Sequence, residues 1–146
     1  MRRNERIYIV EDELLIGEYI ADILLESGFA DTHTFTSAEA ALAAIADVRP
    51  DVVLTDISLE GEMTGIDLGK ILQTTHRIPF IYITSHSGME MVKNAGLTSP
   101  NAYLVKPIKP SDLTVALQLA LITLETSRSS EQEVLMIKDG YKQARI

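Results

Sequence analysis

Four short apolar runs, at Ile7 to Val10, Val52 to Leu54, Phe80 to Ile83 and Ala102 to Val105, punctuate the chain, and helix-patterned segments lie between them. Apolar runs without clean polar alternation read as strands covered on both faces of a sheet. Strands that alternate with helices build βαβ units around a parallel sheet, and right-handed crossovers carry the helices to both faces. The pattern therefore predicts a doubly wound α/β domain. Within it, residues 52–65, VVLTDISLEGEMTG, leave a bare aspartate, Asp56, just past a strand that otherwise looks fit only for burial. In open α/β sheets that carboxyl edge is where ligands bind.

The first helix is expected from about Glu13 to Ser27, with Ile16, Ile20, Ile23 and Leu24 on one face and Gly28 as its stop. Phe29 to Phe35 reads as a more polar strand at the sheet edge. Ser37 caps a second, alanine-rich helix that ends before Pro50. A third helix follows Gly65, with Leu68, Ile71 and Leu72 inward, and stops before Pro79; a fourth spans about Gly88 to Ala95. The fifth opens at Pro110 and Ser111 and carries Leu113, Leu117, Leu121 and Leu124 at helical spacing. The domain is expected to occupy residues 1–125. Beyond it, 126–133 reads as a polar, serine-rich linker. Residues 134–146, with Asp139-Gly140 between two strand-like runs, read as a hairpin: either the start of a truncated output domain or a tail strand that packs back or pairs with another copy.

With 146 residues, 46% of them hydrophobic, the chain has material for one compact domain. A net charge of -8 argues against a nucleic-acid surface in these residues, because phosphate contacts need clustered Lys and Arg. It suits a divalent cation instead, or simply solubility. Without cysteine there is neither a disulfide framework nor a thiolate metal site. The opening MRRNERIYIV has too short an apolar run for a signal peptide, and LTVALQLALITL falls short of a membrane span, so a soluble intracellular protein is expected.

The strand ends carry Glu11, Asp12 and Glu13, then Asp56, then Thr84 and Ser85, then Lys106. A doubly wound sheet gathers these ends into one crevice. Singly, each has a structural explanation: an acid at a strand end is most often a turn former or a favourable charge at a helix N-terminus. Their joint arrival at four ends of one sheet points to chemistry. Crowded carboxylates repel unless a positive charge sits among them, and Mg²⁺ prefers oxygen ligands of this kind. Mg²⁺ and Lys106 would neutralise a phosphoryl group arriving at Asp56, with Thr84 donating to it, so that Asp56 serves as a nucleophile forming an acyl phosphate. His33 and His76 read as surface residues, and Met63, Met89 and Met91 as core or loop filling.

In this ordered set, EDE at 11–13, TD at 55–56, TS at 84–85 and YLVKP at 103–107, the chain resembles the receiver domain of two-component response regulators over roughly residues 5–125. The resemblance implies a flavodoxin-like sheet of five parallel strands in the order 2-1-3-4-5 with five helices. It implies a signalling switch in which Asp56 takes a phosphoryl group from a sensor histidine kinase or a histidine phosphotransfer protein, with no catalysis beyond its own phosphorylation and dephosphorylation. Mg²⁺ would be held by Glu11, Asp12, Asp56 and the backbone carbonyl of Ser58. Lys106 would pair with the phosphate, ahead of a cis Lys106-Pro107 bond. Thr84 and Tyr103 match the family's switch pair, which alters the face made by the fourth helix, fifth strand and fifth helix. A cytoplasmic protein without membrane partners follows, and a homodimer through the fourth and fifth helices would suit the family.

There are departures: Glu60 stands where a proline is common, and the loop from Asp56 to Gly65 is one residue longer than the usual pattern. The forms DISLEGEMTGIDLGK and PFIYITSHS, with the closing VLMIKDGYKQARI, are similar to regulators that carry LytTR-type DNA-binding domains, in which DNA would be met only through a missing output domain. The alternatives are a Mg²⁺-dependent phosphohydrolase with an aspartyl-phosphate intermediate, and a stand-alone receiver acting by protein–protein interaction. His86 and Ser58 flank the expected path of water and are candidates for setting the lifetime of the phosphorylated state.

Overall fold

The structure, a computed structural model, describes residues 3–126. Five strands, β1 (Arg3–Val10), β2 (Phe29–Phe35), β3 (Val52–Thr55), β4 (Phe80–Thr84) and β5 (Ala102–Val105), pair in parallel in the order β2-β1-β3-β4-β5. They are interleaved with helices α1 (Leu14–Glu26), α2 (Ala38–Asp47), α3 (Gly65–Ile71) and α4 (Met89–Gly96), and α5 (110–126) follows. This is the flavodoxin-like, doubly wound fold expected from the sequence, with polar β2 at one edge. The expected hairpin over 134–146 lies outside the described residues, as does the linker apart from Thr126, which is still helical.

Side chains alternate across a strand, and here both sides are apolar because both are covered. Ile7, Ile9, Val52, Leu54, Ile81 and Ile83 pack with Ile20, Ile23 and Leu24 of α1 and with Leu113, Leu117 and Leu121 of α5. Tyr8, Val10, Val53, Phe80 and Tyr82 face the other way, against Ala38, Ala41 and Ile45 of α2, Leu68 of α3 and Ala95 of α4. Ser37 caps α2 through the Ala40 N–H, and Gly28, left-handed at φ 96°, ends α1.

The inner face of α3 departs from expectation. Leu68 and Leu72 are buried, but Ile71 is only half-buried, and the remaining inward positions are Gly65 and Gly69. Glycine is required at 69 because a Cβ there would collide with the Tyr82 hydroxyl. The helix then widens into a single π-type turn over Leu72–His76 and closes on Arg77, left-handed at φ 54°, before Pro79. None of the helices among the described residues is long and apolar enough to cross a membrane.

Candidate functional site

The parallel register levels Val10 with Thr55 and Thr84 with Val105, so Glu11, Asp56 and Lys106 all emerge one residue past the ladder. Backbone bonds fix them there: Asp56 N–H donates to the Val10 carbonyl (2.9 Å) and Lys106 N–H to the Thr84 carbonyl (2.8 Å). The Lys106-Pro107 bond is cis.

The Lys106 ammonium donates to Glu11 Oε1 (2.6 Å) and to Asp56 Oδ2 (2.7 Å). Glu11 is 1% exposed and Asp56 7%. Burial works to lower the Lys106 pKa, but the hydrogen bonds to Asp56 and Glu11 outweigh it, and the ammonium is held charged. Burial pushes the Glu11 carboxyl up to about 7; the Lys106 bond and the Glu13 N–H pull it down, and the Asp56 charge adds to the rise. The site thus buries two carboxylates against a single ammonium.

Carboxylate oxygens of Glu11, Asp12 and Asp56 lie within 4.8 Å of one another, close enough to share one cation. The donor set is all oxygen, which fits a hard divalent ion of the Mg²⁺ type. Glu11 Oε2 accepts from the Glu13 N–H (3.2 Å) and Asp56 Oδ1 from the Ser58 N–H (3.2 Å), so both carboxylates are oriented by the loops that follow them.

Thr84 is fully buried, and its hydroxyl accepts from the His86 N–H (3.3 Å). Tyr103 is half-buried, its ring edge-on to Tyr82, and its hydroxyl donates to the His86 carbonyl (2.5 Å). Burial raises the Tyr103 phenol, and the Asp56 charge adds to it. His86 also bonds Ser58 Oγ through Nε2 (2.7 Å), across the mouth of the site. His33 pairs with Asp31 (2.7 Å) on the edge strand β2.

Some supports had no clear sequence signal. Glu39, in the first turn of α2, accepts from the Glu62 and Met63 N–H groups and so holds the long loop after Asp56, which also makes a single bridge from Glu60 to Ser37. Gly65 is packed so tightly that a Cβ would collide with the Asp56 carbonyl. The cap between Thr64 and Asp67, by contrast, has the T-x-x-D spacing that could have revealed it.

A family model described as the response regulator receiver domain matches residues 7–118. The chain belongs to that family. It is 31% identical over 118 residues to the DNA-binding response regulator MtrA of Mycolicibacterium paratuberculosis, covering 81% of this chain and 52% of MtrA. It is 29% identical to the transcriptional regulatory protein PdtaR of Mycobacterium tuberculosis, covering 92% and 65%. Among solved structures it is similar to NtrX from Brucella abortus in complex with ATP, at TM-score 0.79 and 30% identity, covering 88% of this chain and 29% of NtrX. A CheY-like receiver domain protein from Methanospirillum hungatei matches at TM-score 0.76 and 26% identity, covering 86% and 99%. The receiver domain thus spans about half the length of the MtrA relatives it matches.

Proposed function

We propose that this receiver domain is the phosphoacceptor switch of a two-component pathway, with Asp56 as the acceptor. The observation that carries the reading is the Lys106 ammonium bridging Glu11 and Asp56 within a cluster of three acids at the sheet edge. Asp56 Oδ attacks phosphorus as the N–P bond to the donor's histidine breaks, and the phosphoryl group passes to the carboxylate. Glu11, Asp12, Asp56 and the Ser58 carbonyl would hold Mg²⁺, which would supply positive charge against the phosphoryl oxygens. Lys106 shifts from bridging two carboxylates to pairing with the phosphate. The Thr84 hydroxyl turns to donate to it, and Tyr103 follows the loop that Thr84 leaves, which biases the surface of α4, β5 and α5.

A phosphohydrolase would need a second acid beside Asp56 to protonate its leaving group. Ile57 is buried there, and Ser58 is engaged with His86. For docking of the kinase or phosphotransfer protein, α1 offers exposed Leu14 and Leu15 next to a cavity of about 380 Å³ lined by Ile16, Tyr19, Pro107 and Ile108, opening beside Lys106. A cytoplasmic exchange is part of this reading, in keeping with a histidine-kinase donor. Control of transcription would run through a further domain, a homodimer or both, and a LytTR-type domain is the candidate that the sequence favours.

The test is incubation with a small phosphodonor and Mg²⁺, followed by intact mass measurement. Wild type should gain one phosphate and Asp56→Asn none. Turnover of added phosphate esters would identify a hydrolase instead.

A further inference from the structure

We propose that the hollow between the edge strand β2 and the end of α2 is a binding site for a small organic cation, a guanidinium head on an apolar stem. The parallel register sets Arg6 beside Asp31, Tyr8 beside His33 and Val10 beside Phe35, on the sheet face towards α2. α2 is rich in alanine, and the short side chain of Ala44 does not fill the space above β2. A cavity of about 400 Å³ remains, within the ~300–1,000 Å³ usual for small-molecule sites. It shares no residue with the acidic cluster at Asp56.

Three rings line it. Tyr8 stands edge-on to Phe35, with centroids 4.9 Å apart, and to His33, at 5.7 Å. The Tyr8 hydroxyl donates to the Val48 carbonyl (2.6 Å), which fixes that ring beneath the end of α2. Ring faces attract a cation, and a guanidinium suits them because it is planar and weakly hydrated. The charges around the cavity point the same way. Asp31 is already occupied, its Oδ2 accepting from Arg6 Nε (3.1 Å) and its Oδ1 from His33 Nε2 (2.7 Å). Asp47, on the α2 wall, is exposed, and its carboxylate has no hydrogen-bond or ion-pair partner among the described residues. It lies in the last turn of α2, where no basic residue offsets the negative pole of the helix, and Arg49 just beyond reaches to the Arg77 carbonyl instead (3.1 Å). Burial raises the Tyr8 phenol; Arg6 works against the rise, and the Asp31 and Asp47 charges add to it, so both acids act on the interior of the cavity. One negative charge is thus left uncompensated beside three rings. The stem of the ligand lies along Phe35, Ala44 and Val48, and its head meets the rings and Asp47.

The test is titration of the whole chain with butylguanidinium, with the uncharged butylurea of the same shape, and with the anion pentanoate, followed by NMR of the Tyr8, His33 and Phe35 rings and of the backbone amides. Butylguanidinium should shift these rings and the end of α2 saturably, with a midpoint of about 1 mM for so small a ligand. Butylurea should bind about fivefold more weakly, and pentanoate not at all. Asp47→Asn should weaken the cation by roughly two- to fivefold and leave butylurea unchanged, as expected for an exposed charge. Ala44→Leu, which puts an aliphatic side chain into the hollow, should abolish the binding of both, with amide shifts away from α2 unchanged as the check that the variant is folded. Equal affinity for butylguanidinium and butylurea would overturn the proposal. So would indifference to Asp47→Asn, or shifts centred on Glu11, Asp12 and Asp56 instead of on the three rings. No phosphate enters the experiment, so its failure would leave the acceptor reading of Asp56 intact.

Discussion

The face of the sheet under α1 and α5 is almost wholly aliphatic, while the face under α2, α3 and α4 mixes aliphatic side chains with buried tyrosines and small residues. The first buries Ile, Leu, Val and Ala side chains with one phenylalanine, Phe29. The second buries Tyr8 and Tyr82 against Ala38, Ala41, Gly65 and Gly69, and its hydroxyls need partners. Tyr8 donates to the Val48 carbonyl (2.6 Å). Thr98 Oγ1 donates to the Ala95 carbonyl (2.6 Å), so its bond to Tyr82 (2.6 Å) is one in which Tyr82 donates. Non-directional burial resists any displacement. A face held in part by directed bonds and close fits can exchange one arrangement for another there, and α4, with only Ala95 buried, lies on that side.

The largest contrast concerns the aliphatic face. Leu117→Ala removes a fully buried side chain of α5, and urea unfolding should show a loss of about 2–5 kcal/mol. A loss as small as that of a surface substitution would mean that the helix does not clamp this face.

Alkaline pH addresses the other face. Burial pushes the Tyr82 phenol up to about 12, against an ordinary value of 10.0. Between those values the folded state keeps a proton that the unfolded state has released. The contribution is fully present below pH 10 and is lost as pH rises towards 12, amounting to about 2–3 kcal/mol. Tyr8 and Tyr103 shift the same way, so Tyr82→Phe isolates the effect. The urea midpoint of wild type should fall more steeply above pH 10 than that of Tyr82→Phe, and parallel curves would refute the assignment.

These two faces also separate what the sequence discloses from what it conceals. Strands buried on both sides write continuous apolar runs, so the sheet and the acids past its ends could be read directly. Leu113, Leu117 and Leu121 announce α5 by their spacing alone. Contacts between residues distant in the chain leave no such period: Glu39 supports Glu62 and Met63, and Ser58 finds His86, through folding alone. The misplacement of Ile71 has the same origin. A helical stripe read from apolar residues passes over Gly69, whose inward place is set by a tyrosine on β4.

That fit can be tested directly. Gly69→Ala puts a methyl group where the Tyr82 hydroxyl and the Phe80 ring already lie, and overpacking of this kind should cost about 1–3 kcal/mol. In a Tyr82→Phe background the same substitution should cost less, because the nearest obstacle is gone. Equal costs in both backgrounds would show that Phe80, at 2.9 Å from the added carbon, sets the limit instead.

The smallest effect belongs to α4. Val92 is 40% exposed, and Val92→Ala should change stability by less than ~0.5 kcal/mol, within the range of ordinary surface substitutions. Amides in the first turn of α4, which begins at Met89 behind an uncapped Gly88, should exchange with solvent well before those around Leu117, because local opening there breaks little buried contact beyond the half-buried Met91. The Tyr82–Thr98–Ala95 relay pins the other end of the helix, so protection should rise along α4 towards Ala95. Uniform protection along α4, or a Val92→Ala loss approaching that of Leu117→Ala, would mean that α4 is clamped like α5. The difference between the two faces would then carry no freedom for the switch to use.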